Sequence, residues 1–217
     1  MKELYNETDE YLASLSYDGF GTLADEATGL DFEGTEKVED EYFSEDQWET
    51  THEFQKVTLW HRDSKDASDL EVSRILNKPL AVMTGKIMGV ILDKPDDIWK
   101  YMLYSAHDDT VLNMMRFLKI DFAWVPFAST ITIELKYSEK CVKAGREDTM
   151  SCFGVSVLSN GAPMRFEDQG CTGDVFTLNG CKWEEFYALV KANWYTGPGA
   201  PDLNQACLEK PTGQDTP

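Results

Sequence analysis

The spacing of apolar residues changes repeatedly along the chain, and each change predicts an element. Pro79 suits the first turn of a helix, and Leu80, Met83, Ile87 and Ile91 follow it at i, i+3, i+7 and i+11 as one apolar stripe. Gly85 and Gly89 lie beside that stripe, where they allow close approach to a sheet, and Pro95 with Asp96-Asp97 is expected to end the helix. Tyr101 to Tyr104 (Tyr-Met-Leu-Tyr) is unbroken and bulky, the pattern of a strand buried on both faces. It stops at His107-Asp108. Val111, Met115 and Leu118 then fall on one face of another helix, with Asp109 or Thr110 as its N-cap. Helix, turn, strand, loop, helix is half of a doubly wound α/β sheet.

Past Leu118 the period shortens to two. Ile131, Ile133 and Leu135 alternate with Thr130, Thr132 and Glu134, and Phe153, Val155 and Val157 repeat the pattern. Both are half-buried strands. Asn160-Gly161 is a hairpin signal, with Pro163 to Phe166 returning as the partner strand. Trp183, Phe186, Tyr187 and Val190 define a last amphipathic helix, and the Pro/Gly-rich residues beyond Tyr195 read as a tail. Toward the other end, Tyr17-Asp-Gly-Phe-Gly and Ala27-Thr-Gly are turn signals. Phe54, Val57 and Trp60 are near helical spacing, and a short helix is expected over Leu70 to Asn77.

Charge narrows the function classes. The net charge is −19, and residues 1–100 alone hold 24 acidic and 10 basic side chains. A field of that sign repels nucleic acid and anionic membranes. Asp25 to Glu53 contains twelve acidic residues and one lysine, interleaved with Phe32, Tyr42, Phe43 and Trp48. That is a solvated acidic segment with aromatic anchors. No apolar run approaches the ~20 residues a bilayer requires, and the N-terminus lacks the apolar core of a signal peptide. At 217 residues the chain is long enough for one large domain or two small ones.

All five cysteines lie beyond residue 140. None forms a Cys-x-x-Cys pair, so neither a zinc site nor a thioredoxin-like site is expected. Two local pairs are open, Cys141 with Cys152 and Cys171 with Cys181, which leaves Cys207 unpaired; the other reading is five unrelated buried thiols. Asn6-Glu7-Thr8 is a glycosylation sequon. His52 and His61 lack the spacing of a metalloprotease or kinase site and read as surface or packing residues. No Walker sequence, dinucleotide fingerprint or Gly-x-Ser-x-Gly elbow is present, and neither a metal nor a cofactor is expected.

His107-Asp108 is the candidate for chemistry. In open α/β sheets ligands bind at the carboxyl ends of strands, and a helix N-terminus there offers N–H groups to an anion. The bland alternative is a turn with a capping aspartate.

The stretch Leu103-Tyr-Ser-Ala-His-Asp-Asp-Thr-Val111 resembles the second signature of the histidine acid phosphatases, in the prostatic and lysosomal branch. The family has Thr where Asp109 stands. Similarity continues in order through Leu80 to Leu92, Pro126 to Ser129, Ile133 to Leu135, Val155 to Pro163, and Gly170-Cys171 with Cys181 and Phe186. It covers about residues 79–207. Residues 1–78 match the family's helical cap only in character.

The resemblance implies an α/β chain: the C-terminal half of a three-layer α/β/α phosphatase fold, with a cap-like segment over 1–78, core over 79–207 and a flexible tail over 208–217. It implies hydrolysis of phosphate monoesters through a phosphohistidine, with Asp108 as proton donor and His107 contacting the phosphoryl group. Its substrates would be small monoesters or phosphoproteins, and a homodimer is open. A neighbouring Asp109 would favour the protonated acid, whereas the helix N-terminus would oppose it. The family's nucleophile lies in an Arg-His-Gly-x-Arg signature that this chain lacks. The expectation is therefore a C-terminal portion, inactive alone, whose Cys207 has its counterpart's partner in the other half. Secreted or lysosomal location follows from the family. The alternative is a non-catalytic pseudophosphatase that binds phospho-ligands or a protein.

Overall fold

The computed structural model describes residues 8–14, 16–34, 43–62, 64–94, 99–120, 125–145, 149–165, 171 and 180–209. The sequon residue Asn6, most of the loop between Cys171 and Cys181, and residues 210–217 of the expected tail lie outside them. The chain divides into two compact units, residues 1–64 with 122–127, and residues 65–121 with 128–217.

In the first unit, α1 (Asp9–Ser14), α2 (Tyr17–Phe32) and α3 (Glu45–Arg62) are helical. The Ser16 hydroxyl caps α2 by accepting the Gly19 N–H at 3.1 Å. The expected turns at Gly19, Gly21 and Gly29 therefore lie inside a helix. Glycine costs about 1 kcal/mol in a helix interior; the cap and the packing of Ala27 against Trp48 act against that cost. Ser44 and Gln47 form a reciprocal capping box at the start of α3: Ser44 N–H donates to Gln47 Oε1 at 2.9 Å and Gln47 N–H to Ser44 Oγ at 3.4 Å. Trp48 is the aromatic anchor, with Phe43 and His52 rings at 5.4 and 4.8 Å.

In the second unit, α4 (Lys65–Ile91) is one continuous helix with Pro79 in its interior. The expected break at Pro79 does not occur. Proline removes one backbone bond there, yet Val72, Leu76, Leu80 and Ile87 are all buried on a common face that runs across it. Packing on both sides carries the helix through. Gly85 meets nothing within 4 Å, so it serves no close approach. The helix ends before Pro95: Asp93 takes φ 52° and Lys94 N–H reaches back to the Gly89 carbonyl at 2.8 Å, a Schellman closure.

Then comes α5 (Asp108–Phe117), closed the same way by Lys119 at φ 54° and Ile120 N–H on the Met115 carbonyl at 2.9 Å. The alternating segments form β1 (Ile131–Tyr137) and β2 (Phe153–Ser159), antiparallel with Ile133 opposite Val157. Asn160 and Gly161, both at positive φ (49° and 80°), make the tight turn into β3 (Ala162–Pro163). β4 (Cys181–Lys182) pairs with the start of β2, which leaves β2 central and buried from Phe153 to Val157. The described strands pair only antiparallel, so the expected doubly wound arrangement is not formed among the described residues. Helices with a small antiparallel sheet make the chain mixed α/β.

The short helix α6 (Glu139–Lys143) and a 3-10 turn over Thr149–Cys152 are bridged by the Cys141–Cys152 disulfide. Cys171–Cys181 is the second bridge. The last amphipathic helix, α7 (Trp183–Ala192), buries Trp183, Phe186, Leu189 and Val190; burying each such side chain contributes about 1.5–3 kcal/mol. The chain after Tyr195 is not a loose tail up to residue 209. Tyr195 N–H donates to the Ser73 hydroxyl of α4 at 3.0 Å, and Asp202 caps α8 (Leu203–Ala206) through the Asn204 and Gln205 N–H groups.

Candidate active site

The candidate pair sits where α5 begins. His107 is the N-cap residue, with extended backbone (φ −96°, ψ 171°) and no side-chain capping bond. Its imidazole is exposed, as is the Asp108 carboxylate. Asp108 Oδ1 accepts the Asp109 N–H at 2.9 Å, and Asp109 Oδ1 accepts the Thr110 N–H at 2.6 Å. The first turn thus satisfies part of its own orphan N–H set with carboxylates, and the helix dipole favours negative charge at that end.

The turn is held from below by a residue that the sequence did not single out. The Glu71 carboxylate, on α4, accepts Thr110 Oγ1 at 2.8 Å and Asn113 Nδ2 at 2.7 Å. Asn113 is only 2% exposed, so its amide needs a buried partner. A glutamate in a charged helix normally reads as solvated. Thr110 and Asn113 do lie three residues apart on one helix face, but nothing in the sequence names their partner.

The expected strand before the site does not form. Residues 101–107 carry no turn, bend or positive φ, yet no strand pairs with them among the described residues. Tyr101 and Leu103 are 75% and 77% exposed, the reverse of a strand buried on both faces. The apolar pattern was legible, but burial needs neighbours on both sides.

The other candidate residues lie elsewhere. His52 stacks on Trp48 in the first unit, at 4.8 Å between ring centroids. His61 is in α3, and its side chain lies outside the described set. Cys207 is unbridged and exposed, and Arg74 donates to its sulfur at 3.4 Å. A cavity of about 470 Å³ in the second unit, lined by Arg74, Asn77, Lys191 and Trp194 among others, includes neither His107 nor Asp108. Among the described residues no cluster of His, Cys, Asp and Glu has a metal-binding arrangement, and no described helix is long and apolar enough to cross a membrane.

No protein-family model, no curated protein and no solved structure matches the chain.

Proposed function

We propose that this chain carries the proton-donor side of a histidine acid phosphatase centre, which hydrolyses phosphate monoesters through a phosphohistidine. The observation that carries the reading is the exposed His107-Asp108 pair at the first turn of α5, with the imidazole uncommitted to capping. A histidine attacks phosphorus, forming an N–P bond, and the ester oxygen leaves with the proton of Asp108. Water then attacks the phosphohistidine, giving its proton to the Asp108 carboxylate; phosphate leaves and the nucleophile is restored. His107, when protonated, offers charge to the phosphoryl oxygens. The attacking histidine is absent, since no Arg-His-Gly occurs in the 217 residues. The reading requires it from another polypeptide segment, and the chain alone turns nothing over. Its two disulfides agree with an oxidising compartment, secreted or lysosomal in this reading.

Co-expression with the N-terminal half of a histidine acid phosphatase tests the reading. A co-purifying complex should release p-nitrophenol from p-nitrophenyl phosphate at acidic pH. Asp108→Ala should slow the second step, so that acid-labile phosphohistidine accumulates. A complex without activity, or one indifferent to Asp108→Ala, overturns it.

A further inference from the structure

We propose that the cavity lined by α4, the C-terminal end of α7 and the segment entering α8 binds a small phosphorylated polyol of the sugar-phosphate kind. The space is about 470 Å³ and lies within the second unit. Arg74 and Asn77 line it from α4, Lys191 and Trp194 from the end of α7, and Asp202 and Asn204 from the start of α8. Neither cation is neutralised by a carboxylate: among the described residues no ion pair is made by Arg74 or Lys191. Lys191 Nζ rests instead over the Trp194 ring at 3.9 Å, and a ring face orients an ammonium without cancelling its charge. Arg74 spends one N–H on the Cys207 sulfur at 3.4 Å. Sulfur is a weak acceptor, and the other guanidinium N–H groups stay open to an oxyanion.

The lining says what kind of ligand fits. Asp202 is its one acidic member, and Asp202 Oδ1 is taken by the Asn204 and Gln205 N–H groups at 3.0 and 3.2 Å. The lining therefore keeps a positive excess. Two cations around one space match a phosphate dianion better than a singly charged carboxylate, and a guanidinium fork suits phosphate oxygens. Small-molecule sites occupy about 300–1,000 Å³, so this one has room for an organic body beyond the phosphate. That body is polar. The Asn77 and Asn204 side-chain amides make no hydrogen bond among the described residues, and amides serve hydroxyl groups as donor and acceptor alike. The inference stands apart from the phosphatase reading, because His107 and Asp108 do not line the cavity.

The probe is glucose 6-phosphate, titrated into the full chain by calorimetry, with the Trp194 indole N–H followed by NMR and assigned through Trp194→Phe. One equivalent should bind and shift that signal. Glucose, glucuronate and inorganic phosphate should each bind about tenfold more weakly or worse, since each lacks the dianion or the polyol. Arg74→Gln and Lys191→Gln should each weaken binding by about tenfold, as expected for the loss of a charged hydrogen bond. Both side chains are exposed, so the urea midpoints of these variants should not move. Lys140→Gln removes an exposed cation of α6 outside the cavity and should leave affinity unchanged. No binding of glucose 6-phosphate overturns the proposal, as does equal binding of glucuronate or of inorganic phosphate. Equal weakening by Lys140→Gln would mean diffuse attraction and also overturns it. Loss of binding in His107→Ala would place the ligand at the first turn of α5, against the proposal.

Discussion

Glu71 accepts a hydrogen bond from the Thr110 hydroxyl at 2.8 Å, across 39 residues of sequence, and so fixes the first turn of α5 to the N-terminal part of α4. The same carboxylate takes the Asn113 amide at 2.7 Å. His107 and Asp108 owe their position to this tie.

Glu71→Ala removes the carboxylate that accepts the buried Asn113 amide. Destabilisation of about 2–3 kcal/mol is expected, as for a buried polar group stripped of a charged partner. Glu71→Gln keeps an acceptor oxygen for one of the two donors and should cost less. Urea unfolding of the two variants checks the order.

The Cys141–Cys152 bridge spans a sequence separation of 11 residues. On the chain-entropy account, closing a loop of that size is worth about 3 kcal/mol. The double variant Cys141→Ala with Cys152→Ala should lower the urea midpoint accordingly, with the slope little changed. A much smaller loss would mean that α6 and the 3-10 turn are held chiefly by their other contacts.

Two glycines should respond oppositely to alanine. Gly199 has φ +71°, and an added Cβ would lie 2.8 Å from Ala206 Cα. Gly199→Ala is therefore expected to cost about 1–3 kcal/mol and to loosen α8. Gly85 is an exposed α4 residue with open space around it. Gly85→Ala should gain up to about 1 kcal/mol. Thermal melts of the pair give a direct comparison.

The half-buried Tyr195 donates its hydroxyl proton to the Pro198 carbonyl at 3.1 Å. Partial burial, and then the negative charges of Asp66, Glu209 and Cys207, push its pKa above the ordinary tyrosine value. The folded state thus favours the neutral phenol. That contribution is present below the ordinary value and is lost as pH rises through the raised one. Alkaline titration followed by phenolate absorbance should show one late tyrosine, absent in Tyr195→Phe, and the variant should lose less stability at high pH. Ionisation of Tyr195 along with the exposed tyrosines would contradict this.

Local order was legible wherever it depends on near neighbours. The alternation at Ile131 to Leu135 and Phe153 to Val157 predicted β1 and β2, Asn160-Gly161 predicted their tight turn to β3, and the spacing of Trp183 to Val190 predicted α7. The two short-range cysteine pairs were among the open readings, and both bridges form. The turn signals failed at Gly19 and Gly29, and the proline signal failed at Pro79. In each case packing across the supposed break outweighed a local penalty of about 1–3 kcal/mol.

By itself, then, the sequence determined the periodic elements, the acidic charge of the first hundred residues and the His107-Asp108 step at a helix start. These depend on side-chain spacing and backbone preference within a few residues. Tertiary structure alone decided that Glu71 anchors the candidate site and that Ser73 takes the Tyr195 amide, since such partners lie 39 and 122 residues apart. It also decided that Tyr101, Leu103 and Tyr104 stand exposed instead of buried. An apolar run states only that burial is favourable. Whether it is buried depends on which strands are present to lie beside it.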